Sequence, residues 1–544
     1  MSSIFDLKTN VKQLVSANQG TSRMEYQQQP PTRDVTQNNF PNGAIHFRWQ
    51  TSGQKWWIPN RSYIRIRCSL TKGNGDGLTF ADNIAPNMGL CASLFQSAEF
   101  RINDKTVSRI SDFLPQVDAL ETRLTKSRSW LNGVGNAVNF WQPTVEERQN
   151  DVIIDEGDGV LSQSTVASEN LGFALADTVA VAATGVLTFA GAALPVLADI
   201  FKAGDEIEID AGGAVGTVRY RISAFLAGGV TLQLNNITYI VLAAGARPFR
   251  RIRQTSNDSR NLSSFELTWT PPLSIFKIGH ALPAMKAELI LNPQTASVYQ
   301  KAAIESILGD GDKNPAVGAN NNDFKFTVEN MYMYVNTVEG DRCDDITYLL
   351  DLEQTRCQSD KIDGPSFAQK NWDVSPSTYA LTVAYQDLRA GTDTQASVSK
   401  FRSYEAGVNF VDPQETNLTR FFINYAGQNI PSPDADPEFT VAGGVNGGTD
   451  YTTQRYIESQ IYNGAYYDSG GAESIVEYRR RGAYYYFSIP RDGTDRSTRV
   501  NVNQQFVVGT DTTNMRVLLF DHSRQNASIR VQDGRVIDVQ LEDS

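Results

Sequence analysis

The eight residues YIRIRCSL, Tyr63 to Leu70, constrain the fold more than any other stretch of the chain. Ile64, Ile66 and Cys68 fall on one side of an extended backbone, and Arg65, Arg67 and Ser69 on the other. A period of two with one apolar side is the mark of a half-buried strand. The pattern recurs in AIHFRWQ and SAEFRINDKTVSRI. It returns from Phe324 onward in FKFTVENMYMYVNTV, ITYLLDLEQT, STYALTVAYQDL, TRFFINYAGQN, AYYYFSIP, TRVNVNQQFVV, MRVLLFDHS and ASIRVQDGRVIDVQL. About eight such runs suffice for one sandwich. A second set lies earlier in the chain, so 544 residues accommodate two sandwiches side by side.

Composition supports this and excludes other classes. Gly (41) and Pro (21) supply the turns that many short strands need. The net charge of −12 argues against a protein that wraps nucleic acid by neutralising phosphate, so no specific nucleic-acid partner is expected. Cys68, Cys91, Cys343 and Cys357 are widely spaced and form no CxxC, which indicates neither a zinc site nor a disulfide framework. His46, His280 and His522 are equally dispersed. No metal and no cofactor is expected.

The organisation follows from where the pattern breaks. Residues 1–44 read as an arm. Ile4, Leu7, Val11 and Leu14 recur at helical spacing and make one short amphipathic helix, the candidate docking element. The polar, Pro-interrupted stretch after it is not expected to fold alone. Residues 45–305 read as a first sandwich. Within it, Leu114, Val117, Leu120 and Leu124 mark a helix near Pro115. Residues 151–256 read as a β-rich, barrel-like insertion with Gly turns about every ten residues. Its uncharged run Thr178–Ala198 is long enough to span a bilayer, but Gly185, Gly191 and Pro195 break it, and TVAVA-ATG-VLTFA reads as a hairpin. Residues 306–323, rich in Gly, Asn and Asp, read as a linker, and 324–544 as a second sandwich.

Motifs for chemistry are missing. The sequence has no GxxxxGK[ST], HExxH, GxSxG or strand-coupled GxGxxG. Asp310, Asp312 and Asn314 begin like a calcium loop, but Pro315 and Asn321 occupy the positions that require Gly and Glu. The carboxylate pairs Asp344/Asp345 and Asp434/Asp436 fall in turn-like segments and read as solvated turn residues. The basic clusters RPFRRIR, with Arg250, Arg251 and Arg253, and EYRRRG, with Arg479, Arg480 and Arg481, are candidate contacts with other subunits, lipid headgroups or phosphate. The simpler reading is charge that discourages wrong strand pairing.

Three stretches carry a likeness to a known family: LFQSAEFRINDKTVSRISDFLPQVDALETRL (Leu94–Leu124), FELTWTPPLSIFKIGHALPAMKAELILN (Phe265–Asn292), and LTVAYQDL (Leu381–Leu388) with FFINYAGQNIPSP (Phe421–Pro433). Together they resemble the double jelly-roll major capsid proteins of icosahedral double-stranded DNA viruses, especially the virophage and polinton-like group. The resemblance implies an all-β fold of two consecutive eight-stranded antiparallel jelly rolls. It implies a structural, non-enzymatic protein of the virion, assembled inside the host cell as homotrimers whose six rolls form a pseudo-hexameric capsomer. The implied partners are neighbouring capsomers, penton and minor capsid proteins, with contact to an inner membrane left open. The amphipathic arm would clip a neighbouring capsomer and the insertion would project outward as a tower. LSIFKIGHALPAMK would then be a packed connector at the base of the first roll and AELILN its closing strand. Two other classes compete: a carbohydrate-binding or adhesin-type β-sandwich, using exposed Tyr or Trp, and an all-β hydrolase with two distant carboxylates.

Overall fold

The structure is a computed structural model. It describes residues 24–36, 39–52, 54–72, 84–86, 89–130, 134–135, 265–295, 298–299, 303–306, 324–339, 345, 347–362, 364, 368–387, 418–430, 451–462, 471, 478, 484–489, 498–506 and 515–542. It also describes the backbone of seven strands between 179 and 252. The docking residues Ile4, Leu7, Val11 and Leu14 lie outside the described residues, as does the linker 307–323.

In chain order the strands are β1 (Met24–Gln29), β2 (Ile45–Gln50), β3 (Lys55–Trp57), β4 (Tyr63–Lys72), β5 (Ile84–Pro86), β6 (Phe95–Ile102) and β7 (Lys105–Ile110). The insertion follows with β8 (Val179–Val181), β9 (Val186–Phe189), β10 (Glu206–Asp210), β11 (Thr217–Leu226), β12 (Thr231–Leu234), β13 (Leu242–Gly245) and β14 (Phe249–Ile252). The chain then returns to β15 (Phe265–Trp269), β16 (Lys286–Pro293), β17 (Ile304–Ser306) and β18 (Phe324–Glu339). The last group is β19 (Thr347–Lys361), β20 (Ala368–Asp373), β21 (Thr378–Asp387), β22 (Leu418–Tyr425), β23 (Gln428–Ile430), β24 (Tyr484–Ser488), β25 (Arg499–Phe506), β26 (Met515–Gln532) and β27 (Arg535–Glu542).

Two sheets, β1-β18-β4-β15 and β2-β16-β6-β7, form the first sandwich. Two others, β19-β26-β21-β24 and β20-β25-β22-β23, form the second. Ranking the eight strands of each sandwich in chain order gives the same result twice: 1-8-3-6 in one sheet and 2-7-4-5 in the other. That is the jelly-roll order, and every pairing in it is antiparallel. The chain is therefore an all-β double jelly roll. β3 adds to β18 and β27 adds to β26, outside the eight-strand plan of each roll.

The duplication extends to turn chemistry. Between the fourth and fifth strands of the first roll, Asn103 (φ 48°) and Asp104 (φ 66°) make a two-residue hairpin turn. At the equivalent place in the second roll stand Ala426 (φ 51°) and Gly427 (φ 79°). Consecutive left-handed residues match the twist of paired strands, which is why such turns favour Asn, Asp and Gly. A helix follows the fifth strand in each roll, Leu114–Thr125 in the first and Tyr451–Tyr462 in the second. Pro115 sits in the first turn of the former, as the sequence leads one to expect.

Two boundaries differ from those read in the sequence. β18 opens the segment 324–544 assigned above to the second sandwich, yet it pairs with β1, β3 and β4 of the first roll. Its inward residues Phe326, Val328, Met331, Met333 and Val335 enter the first core. Alternation reveals a strand but not its partner, so sequence could not place it. β1 lies inside the segment assigned to the arm. It is a strand with no buried residue, and its MEYQQQ therefore carries no apolar alternation.

The insertion forms one seven-stranded sheet, β13-β8-β9-β12-β11-β10-β14. Its two edges, β13 and β14, are separated in the chain only by residues 246–248. A flat sheet of this width would set its edges about 29 Å apart, at about 4.8 Å per strand. Four residue steps reach about 14 Å at most. The sheet must curl toward closure, in line with the barrel-like reading of the sequence. The run Thr178–Ala198 contains the hairpin β8–β9, and no described helix is long and apolar enough to cross a membrane.

Candidate assembly surfaces and the seam between the rolls

Strands that run back and forth place successive connections at opposite ends of a sandwich. In the first roll, β1, β4, β7 and β16 finish and β2, β6, β15 and β18 start at one end. At the same end of the second roll, β21 and β23 finish and β22 and β24 start. The opposite end carries the tight turns Asn103–Asp104 and Ala426–Gly427, the connector 270–285 and the short link 374–377. Each roll thus has an elaborated end, which in the first roll bears the insertion, and a compact end. β1 begins at the compact end.

Contacts across the seam align the two compact ends. Asn103 Nδ2 donates to Val536 O at 2.7 Å, and Lys286 N donates to Asn103 Oδ1 at 3.3 Å. Val536 N donates to Ala284 O at 2.8 Å. Lys105 Nζ reaches Asp538 Oδ1 at 2.5 Å and Val539 O at 3.2 Å. One turn residue of the first roll thereby links β16 to β27 of the second; AELILN of β16 is the seventh strand of its roll, not the closing one, because β18 follows it into the same sandwich. The Arg516 guanidinium lies 5.4 Å from the Phe113 ring centre, and its Nε donates to Gln386 Oε1 at 2.9 Å. The connector supplies a 3-10 turn, Ser274–Lys277, with Ile275 and Phe276 buried, and Lys277 pairs with Glu121 of the neighbouring helix at 2.6 Å. Leu273 to Met285 is scaffold, as its apolar content suggests.

Behind the seam lies a buried polar group on β26. His522 Nε2 is 2.8 Å from Thr382 Oγ1 and Nδ1 is 3.2 Å from Thr355 Oγ1. Both ring nitrogens meet hydroxyls, and burial holds the imidazole neutral, with its pKa lowered to about 3. Asp521, on the opposite face of the strand, accepts from Thr378 Oγ1 at 2.5 Å and Ser375 N at 2.8 Å, and burial raises its pKa. A His and an Asp adjacent on a strand point to opposite sides, so they do not form a catalytic dyad.

The other candidates behave as structure. Asp345 accepts from Asp533 N at 2.7 Å, a turn-closing role; Asp344, Asp434 and Asp436 lie outside the described residues. Arg250 and Arg251 sit on β14, where Arg250 stands opposite Glu208 of β10 in register. Arg253, Arg479, Arg480 and Arg481 lie outside the described residues. Cys68, Cys91 and Cys357 are buried thiols without a disulfide. Among the described residues no three His, Cys, Asp or Glu side chains converge as a metal site.

The outward faces of the two sheet types differ. On β2-β16-β6-β7, Glu288 pairs with His46 at 2.9 Å and Arg48 at 2.5 Å, while Glu99 pairs with Arg101 at 2.6 Å. The equivalent face of the second roll carries a register row of amides, Asn371, Asn501, Asn424 and Asn429, one per strand. The β1-β18-β4-β15 face carries aromatics instead. Tyr26 and Tyr63 approach at 5.8 Å between ring centres, and Tyr63 stacks on Tyr334 at 5.3 Å.

The fold defines the class, a double jelly roll. No protein-family description and no curated relative matches the sequence. Among solved structures, the chain is similar to a protein of the Sputnik virophage, with 10% identity over 96% of this chain and 88% of that one, at a TM-score of 0.48. It is similar to the Faustovirus major capsid protein, with 10% identity over 93% and 90% and a TM-score of 0.45. The mavirus major capsid protein is also similar, at 9% identity over 95% and 90% and a TM-score of 0.40. The assignment of the fold rests on the strand order of this chain.

Proposed function

We propose that the protein is a structural, self-associating subunit of an icosahedral virus shell, a homotrimer whose six rolls make a pseudo-hexameric capsomer. The observation that carries this reading is the exact repetition of the 1-8-3-6/2-7-4-5 order in two rolls whose compact ends are aligned. Such a block offers two equivalent outlines to its neighbours. Three blocks around an axis along the strands present six equivalent outlines, the number hexagonal tiling requires. The compact ends, held in line across the seam, would form the base. The elaborated ends, where nothing need pack, can carry the insertion outward as a tower.

β1 begins at the base, which favours residues 1–23 as an arm that clips a neighbouring capsomer. Expressed alone, the chain is expected to run at three chain masses in light scattering. A monodisperse monomer at micromolar concentration would refute the reading. Deleting residues 1–20 is expected to leave trimers intact and abolish shells, scored by electron microscopy of assembly reactions. Loss of trimers as well would make the arm part of the fold.

A further inference from the structure

The two rolls hold their first strands differently. β19 opens the second roll, and its Leu350, Leu352 and Cys357 are buried in the core. β1 opens the first roll with six residues and buries none. Its register sets Glu25, Gln27 and Gln29 opposite Thr337, Val335 and Met333 of β18, all three buried. Residues directly opposite share a face, so the core side of β1 is polar. On the other side Met24 and Tyr26 are exposed, and Tyr26 meets Tyr63 at 5.8 Å between ring centres. Glu25 accepts from Lys55 Nζ and from Gln27 Nε2, and Arg61 Nη1 lies 3.1 Å from Met24 Sδ. All of these are contacts at the rim of the roll.

The chain is anchored directly after β1. Pro31 bridges to Phe47, and Thr32 N donates to His46 O at 2.8 Å. The Arg33 guanidinium closes the following loop, donating to Asn39 O and Phe40 O at 2.8 Å and to Gly43 O at 2.6 Å. Val35 and Phe40 of that loop enter the core. Pro30 and Pro31 mark the border between the strand and the anchored loop. Neither has an N–H to give to a ladder, so the pairing of β1 stops there. A polar inner face by itself guards a sheet edge against wrong partners. Joined to a firm anchor directly after it, the same face lets the strand leave without disturbing the core.

Segments with few buried apolar contacts open at the low end of a protein's stability range. Departure of β1 bares the β18 backbone from Met333 to Val338, an edge that templates another strand. The segment that fits this edge in register is MEYQQQ itself. Exchange of an identical element between copies is a low-cost way to fill such a place. We propose that β1 undocks as a unit about Pro30–Pro31 and that β1 of a second copy takes its place on β18. The exchange goes beyond the self-association reading, since trimers can form without it.

Hydrogen exchange of the full wild-type chain, followed by mass spectrometry, tests the undocking. Amides of residues 24–29 are expected to exchange at least about tenfold faster than those of 347–352 on β19. Equal protection would show that β1 opens only with its whole roll and would overturn the proposal. The exchange between copies is tested by mixing an isotope-labelled Met24→Cys chain with an unlabelled Val338→Cys chain under mild oxidation, positions that are partners in register. A disulfide joining the labelled chain to the unlabelled one through the two introduced thiols is expected, located by peptide mapping. Asn371→Cys, at an exposed position of β20, is expected to give none in place of Val338→Cys. Gln28→Cys with Tyr334→Cys, another pair in register, replaces any variant whose thermal midpoint falls. Fast exchange of the β1 amides without the disulfide overturns the exchange between copies, as do equal yields with Val338→Cys and Asn371→Cys. A trimer by light scattering that lacks both signals removes this proposal and leaves self-association standing.

Discussion

Lowering the pH from 7 to 5 is expected to destabilise an Asp118→Asn variant, by at most about 2 kcal/mol, the His522 contribution before the opposing Asp521 is subtracted, as His522 is drawn to its protonated, unfolded form. The folded imidazole has a pKa near 3 and the unfolded one 6.5. Its contribution is whole above pH 6.5 and is lost progressively down to pH 3, where the total reaches about 5 kcal/mol. In the wild type, Asp118 works against this. It sits half-buried on the Leu114–Thr125 helix and accepts from Trp269 Nε1 at 3.2 Å. Burial raises its pKa to about 7, and the nearby Glu121 adds to the rise. A raised carboxyl favours the folded state most strongly when protonated. Its contribution is whole below pH 3.8 and is lost as the pH climbs through 7. Asp521, also raised by burial, has the same sign. The two effects oppose over one window, so the wild type should show a shallow profile. His522→Gln should invert the slope and gain stability on acidification. Urea unfolding at pH 7, 6 and 5 decides it; identical profiles for Asp118→Asn and Asp118→Asn/His522→Gln would show that the imidazole is not held neutral by the fold.

Trp57→Ala is expected to lower stability by about 3–5 kcal/mol, the range for truncating a large buried aromatic. Trp57 is fully buried, stacked on Phe100 at 5.1 Å and edge-on to Trp49 and Phe276 at 5.4 and 5.7 Å. Its Nε1 donates to Ser62 Oγ at 2.9 Å, and the same oxygen accepts from Asn336 N at 3.0 Å. Removal opens a cavity between β3, the base connector and both sheets of the first roll. Trp57→Phe should lose less, because the ring is partly kept and Ser62 retains its bond to Asn336. Equal losses for the two variants would mean that the indole hydrogen bond, not packing, dominates.

Much of this architecture was legible in the sequence because sandwich strands advertise themselves. Ile64, Ile66 and Cys68 alternate with Arg65, Arg67 and Ser69, and the former are fully buried. The hairpin in the insertion and the helix at Leu114–Thr125 were legible for the same local reasons. What was hidden depends on distant partners. The alternation of β18 is the same whichever roll it joins. β1 buries nothing, so nothing in MEYQQQ marks it. The seam is made by Asn103 meeting Val536, a contact across most of the chain. Exposure of Leu349 is likewise invisible in ITYLLDLEQT, where Leu350 and Leu352 face the core and Leu349 faces out. The arginine clusters drew notice by density alone, and in the described part Arg250 stands in register with Glu208 and Arg251 with Ile207.

Class-averaged electron micrographs of the purified chain, viewed down the symmetry axis, test the proposed self-association most directly. Three subunits and six lobes of similar outline around one centre are expected. Single two-lobed particles that persist as the concentration is raised would contradict it.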